Sequence, residues 1–119
     1  MELVVGKIHK KFKNTALGKI PKDWKSVSFQ DVLQGFTSGA TPYRGKSEYY
    51  TGGIRWITSS ELNYGYIHDT KEKITEEAVR KTNLKMHPLG TFLMAITGLE
   101  AEGTRGRCGI VGSEATTNP

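Results

Sequence analysis

The sequence predicts a mixed α/β (α+β) domain: a twisted mixed β-sheet carrying a few short helices. Three stretches predict it. Gly52–Leu62 reads as a strand running straight into a helix start, Thr75–Asn83 as one well-capped helix, and Thr91–Thr97 as an apolar run of strand length. With 119 residues the chain is one domain or a piece of one, and a compact chain of this size buries roughly 65% of its unfolded surface. It needs no covalent staples to hold a core.

Met1–Lys19 is lysine-rich with glycine breaks at Gly6 and Gly18, and reads as a loosely ordered basic arm. The remainder, 20–119, reads as the folded part. Pro21 holds Ile20 extended, and Ile20 and Trp24 are expected to clip the chain onto the core. Lys25–Phe29 alternates as a short strand, followed by a helical turn from Gln30 to Gln34 that Gly35 stops. From Phe36 to Gly53 periodicity disappears. Irregular stretches of this length in compact domains are commonly functional or disordered, and this one holds Thr41, Tyr43, Arg44 and Lys46, side chains of the kinds that meet bases, sugars and phosphates.

Ile54 and Trp56 then alternate with Arg55 as in a half-buried strand, with Trp56 as a core anchor. Thr58-Ser-Ser-Glu61 has capping-box spacing. Such a junction turns backbone N–H groups and the hydroxyls of Thr58 and Ser59 toward an anion or a base edge. Asn63–Tyr66 reads as a turn and Ile67–Ile74 as a polar edge strand. Thr75 caps the helix to Asn83, which has Glu76 and Glu77 in its first turn and Arg80 and Lys81 in its last. His87-Pro-Leu-Gly90 suits a turn with proline second and glycine fourth. Thr91–Thr97 is expected to be the central, most buried strand. Gly98–Gly109 follows as a second glycine-rich loop carrying Arg105 and Arg107, before Ile110-Val111. The chain stops beside a strand, which suggests a longer domain.

Charge says little about the body. Residues 1–25 carry seven lysines against Glu2 and Asp23, whereas 26–119 balance ten basic against ten acidic side chains. If the body binds nucleic acid, a few placed residues must do it. Arg44, Arg105 and Arg107 each have the fork that pairs with guanine O6 and N7, and Lys46 and Thr58 suit phosphate better. Cys108 is the only cysteine, and no Cys/His cluster has zinc spacing, so neither a disulfide nor a metal is expected. The sequence shows neither an apolar run of membrane-spanning length nor the apolar block of a signal peptide, which favours a cytoplasmic, soluble protein. Gly103-Thr-Arg-Gly106 matches the clamp of KH domains without their flanking helices, and the glycines fit neither a P-loop nor a dinucleotide fingerprint. His9, His68 and His87 are scattered, without nucleophile partners in sequence. Asp69-Thr-Lys71 could serve a metal-dependent nuclease, although the nearest upstream aspartate, Asp31, is distant.

Taken in order, Gly18-Lys-Ile-Pro-Lys-Asp-Trp24, Ser38-Gly-Ala-Thr-Pro42, Gly53-Ile-Arg-Trp-Ile-Thr58, Ile74-Thr-Glu-Glu77, Pro88-Leu-Gly-Thr91, Ala95-Ile-Thr-Gly98 and Gly109-Ile-Val111 with Ala115-Thr-Thr-Asn118 resemble the target recognition domain of the specificity subunits of type I restriction-modification systems. The match is in joint order and spacing across nearly the whole chain. Arg55 stands where family members often have proline. The resemblance implies a fold similar to the recognition domain of small adenine methyltransferases. It also implies a non-catalytic role without cofactor: reading double-stranded DNA while methyltransferase subunits and a translocating nuclease subunit act. A complete subunit in that family looks like two such domains joined by long paired helices. The competing readings are the small nuclease and a truncated module that competes for methyltransferase subunits without touching DNA.

Overall fold

The computed structural model describes residues 11–97 and 103–119, and these divide into two compact units on either side of the step from Phe36 to Thr37. In the first, β1 (Phe12–Thr15) and β2 (Gly18–Pro21) pair as an antiparallel hairpin with Thr15 opposite Gly18. The Thr15 hydroxyl donates to the Gly18 carbonyl at 2.8 Å and accepts from the Leu17 N–H at 3.2 Å. Gly18 itself sits at φ +108°, where a side chain is strained. This turn chemistry, concealed by the lysines around it, makes residues 12–21 a hairpin where the end of a loose arm was expected, and residues 1–10 of that arm lie outside the described residues. The expected boundary at 19/20 falls inside β2.

After the hairpin, the expected strand at Lys25–Phe29 does not form. The Ser28 hydroxyl accepts from the Asp31 N–H and donates to the Asp31 carboxylate at 2.8 Å, starting helix α1 (Phe29–Val32). A side-chain cap outcompetes a five-residue alternation. Trp24 is more than half exposed.

The second unit holds two three-stranded sheets. In one, β3 (Ile54–Ile57) lies between β5 (Lys73–Ile74), antiparallel, and β8 (Thr116–Thr117), parallel. In the other, β7 (Cys108–Val111) lies between β4 (Tyr66–Ile67), parallel, and β6 (Phe92–Met94), antiparallel. Successive strand residues face opposite ways, so β3 feeds two cores. Trp56 packs with Tyr49, Ile74 and Ala78, and Ile57 with Leu62, Ile67, Val111 and Ala115. Helix α2 (Glu76–Lys81) closes the Trp56 side. Its cap Thr75 accepts from the Ala78 N–H at 3.1 Å and Asn83 ends it at φ +54°, as the sequence predicts.

Three expectations change. The central strand of the second sheet is β7, which begins two residues inside the stretch read as a loop, whereas the apolar run forms only the edge strand β6, with Phe92 and Met94 turned outward. Gly109 makes β7 possible as a centre strand, because a Cβ there would stand 2.8 Å from Ile67 Cδ1. Ile67–Ile74 is not one strand but two, β4 and β5, in different sheets. The Thr70 hydroxyl donates to the Glu72 carbonyl at 2.7 Å and accepts from the Trp56 N–H at 3.3 Å, folding the chain between them. The turn before β6 shifts by one residue. Thr91 N–H donates to the Pro88 carbonyl, which places Gly90 third with φ +86°. Among the described residues, no helix is long and apolar enough to cross a membrane.

Candidate nucleic-acid interface

Residues 37–46 have no regular structure, yet they are pinned at several points. Ala40 N–H donates to the Thr117 carbonyl at 3.2 Å, the Trp56 indole N–H to the Ala40 carbonyl at 3.1 Å, and the Tyr50 hydroxyl to the Pro42 carbonyl at 2.6 Å. Thr41 and Tyr43 are exposed on this loop, with the Tyr43 ring lying where a side chain on Gly45 would be. The two basic residues are engaged with the protein itself. Arg44 lies over the rings of Tyr50 at 4.3 Å and Trp56 at 5.1 Å, and its two terminal nitrogens donate to the two oxygens of Glu72 at 2.6 and 3.0 Å. That is the same fork guanine would need. Lys46 sits over Tyr49 and donates to Glu77 at 3.2 Å, a hydrogen bond that raises its pKa. Both basic side chains therefore staple the loop, Arg44 to the residue just before β5 and Lys46 to α2.

The strand-to-helix junction after β3 forms with its capping box, but the helical piece is a single 3-10 turn, Ser59–Glu61. Glu61 accepts from the Thr58 N–H at 2.7 Å and, through its other oxygen, from the Lys71 N–H at 2.7 Å. The Thr58 hydroxyl shares a 2.8 Å hydrogen bond with Ser60. These bonds use the junction to hold β3 against 69–72, leaving fewer of its donors for an anion.

The second arginine pair has a different setting. Arg107 N–H donates to the Thr104 carbonyl at 2.9 Å, closing a tight turn with Gly106 third at φ +82°. Gly106 N–H donates to the Ala95 carbonyl and Ala95 N–H to the Arg107 carbonyl, fixing the turn to the end of β6. Thr104 is buried beneath it, and Arg105 stands exposed at its second position. Arg107 is half-buried, with a terminal nitrogen 3.5 Å from the Gly103 carbonyl. Residues 98–102 of this loop lie outside the described residues. Arg105 and Arg107 thus share one turn on the second sheet, and Arg44 and Lys46 share one loop on the first.

Comparison with known proteins relates the sequence to a family. No protein-family model matches the sequence. The type I restriction enzyme MjaIX specificity subunit of Methanocaldococcus jannaschii is 42% identical over 86 residues, 70% of this chain and 20% of that protein. The chain is a type I specificity-subunit domain. It spans about a fifth of the length of that relative.

In this specificity-subunit domain, sequence reasoning missed the acidic partners. Glu72 and Glu77 sit in segments whose charges look self-sufficient, and only the tertiary fold brings them to Arg44 and Lys46. It also missed the outward aromatics Tyr64, Tyr66 and Phe92, although Tyr64-Gly-Tyr66 before an apolar residue is an alternation that could have shown them. Asp69 of the nuclease reading is held by Lys73 at 2.8 Å with Arg55 Nε 3.9 Å away, not by Lys71. The Lys73 hydrogen bond holds its carboxyl below the ordinary range. Among the described residues, no group of three or more His, Cys, Asp or Glu is placed to hold a metal.

The Arg44–Glu72 fork predicts a pH dependence. The Arg44 hydrogen bond holds the Glu72 pKa below its ordinary 4.5, so the pair adds stability above that value and loses it as pH falls through the lowered one. Both side chains are about half exposed, which limits the contribution to below about 1 kcal/mol. The melting-temperature gap between the native chain and Glu72→Gln is expected at neutral pH and should close as the pH falls below 4.5 through the lowered value. A gap of constant size across that range would mean that the fork adds nothing.

Proposed function

We propose that this chain reads sequence in double-stranded DNA as one recognition domain of a cytoplasmic type I restriction-modification complex. It would act without catalysing, in a longer subunit that directs methyltransferase subunits and a translocating nuclease subunit to the site. The observation that carries the reading is the 42% identity, over 70% of the chain, to a protein named as a type I specificity subunit. The geometry adds residues to it. Arg105, raised on a turn anchored by buried Thr104 and by Ala95 just after β6, is the side chain best placed to reach a base edge, with Arg107 beside it. Thr41, Tyr43, Thr58 and Ser59 would supply phosphate and sugar contacts, which position a protein on the duplex without reading it. Arg44 and Lys46 would hold their loop in shape rather than read bases, because a guanine would have to displace Glu72.

The test is selection from a randomised duplex pool by the purified chain, with sequencing of the bound fraction. A shared motif of a few base pairs is expected to emerge over successive rounds. Recovery of sequences no different from the starting pool would overturn the reading.

A further inference from the structure

The outer face of the second sheet is left unused by the turn that carries Arg105. Tyr66 pairs with Ile110 and Ile110 with Phe92, so the three side chains form one row on one face. Their neighbours Ile67 and Val111 point the other way, into the core. Tyr66 is 62% exposed and Phe92 55% exposed, against 4% for Ile67 and 0% for Val111, so this face meets solvent although its residues are those of an interior. His68 extends the line beyond β4. Its ring lies 6.3 Å from that of Tyr66 at an interplanar angle of 23°, above Gly112, where a Cβ would come within 2.8 Å of the His68 Nδ1 atom. The paired positions of this face, Tyr66, Phe92, Met94, Cys108 and Ile110, include no carboxylate, and the turn bearing Arg105 and Arg107 enters at the end where β7 begins.

Aromatic rings in the open on a sheet whose central strand starts from an arginine-bearing turn suit one kind of ligand. Bases in a duplex already stack on each other and cannot lie on these rings, whereas the bases of an unpaired strand can. Tyr66 and Phe92 are two strand spacings apart, about 10 Å, wider than the roughly 7 Å that sandwiching a single base requires at 3.4 Å per stacked layer. Each ring is therefore spaced to take its own base. We propose that this face binds unpaired nucleobases of a single strand, Tyr66 and Phe92 each stacking one base, with the strand's phosphates met at the Arg107 end. The absence of carboxylates from the ladder and the near-parallel Tyr66–His68 pair favour a nucleic acid over an apolar protein surface. The proposal does not require duplex reading by Arg105.

The experiment is fluorescence anisotropy of a labelled oligothymidylate with the full 119-residue chain, alongside a duplex. Salt-sensitive binding of the single strand is expected. The double variant Tyr66→Ala with Phe92→Ala should bind it about thirty-fold more weakly, while Tyr66→Phe keeps most of the affinity. Both residues are exposed, so thermal melts should match across the variants. Duplex binding retained by the double variant supports a separate stacking face, and equal losses on both nucleic acids overturn it. No binding of the single strand by the native chain overturns it as well. So does self-association of the native chain that the double variant abolishes, because a second copy would then be what covers the face.

Discussion

Replacing Trp56 by alanine is expected to destabilise the domain by about 3–5 kcal/mol, the range for losing a large aromatic from a packed core. Trp56 is 1% exposed, meets Tyr50 edge-on at a centroid distance of 5.8 Å, and packs against Ile74 and Ala78. Three further losses follow from the same deletion. The Ala40 carbonyl loses its indole donor, Arg44 loses one of its two rings, and the tether between the 37–46 loop and β3 goes with them. Small domains are stable by only about 5–15 kcal/mol in total, so this variant is expected to be marginally folded. Trp56→Phe keeps most of the ring and loses chiefly the N–H, for a smaller cost of about 1–2 kcal/mol. Urea unfolding followed by far-UV circular dichroism separates the two. A Trp56→Ala midpoint within experimental error of the native one would show that the two sheets do not depend on this side chain.

Trp56 was legible in the sequence for the same reason that it matters. A tryptophan two residues after Ile54 and across Arg55 from it reads as a core anchor, although the half-buried alternation missed that Ile57 on the opposite face is buried too, and α2 was legible from Thr75 and Asn83 because both ends are set by local chemistry. The strands were legible only where a local device fixes them. The first half of β7 was read as the end of a loop because Gly109 looks like a turn residue, whereas it is glycine to admit the side chain of Ile67 from β4, as Gly112 just after β7 admits that of His68. Such close approach is a property of the partner strand and leaves no mark in the segment itself. The Thr91–Thr97 run misled in the opposite direction, since an apolar stretch does not say which of its faces is covered, and here Phe92 and Met94 face out. The site divides similarly. The Arg105 turn is local, written by Thr104 and Gly106, whereas the partners of Arg44 and Lys46 lie about 30 residues away, at a separation of 28 and 31 positions.

That division sets what the arginines should do when removed. Arg105→Ala is expected to weaken binding to the selected duplex by about 1–3 kcal/mol, roughly five- to 150-fold, if the guanidinium reads a guanine edge. Binding to a scrambled duplex should change little, because the non-specific term comes from phosphate neutralisation spread over many contacts. A phosphate role for Arg105 gives a different pattern: matched and scrambled duplexes weaken together, and the slope of log affinity against log salt falls by about 1. Arg44→Ala serves as the internal contrast. Its fork is occupied by Glu72 and its plane by Tyr50, so its removal should lower thermal stability and affect both duplexes equally through the loosened 37–46 loop. Anisotropy titrations of both variants on both duplexes at two salt concentrations distinguish these cases. Arg44→Ala selectively losing the matched duplex while Arg105→Ala does not would place the reading head on the first sheet, and the turn at the start of β7 would then be only a connection.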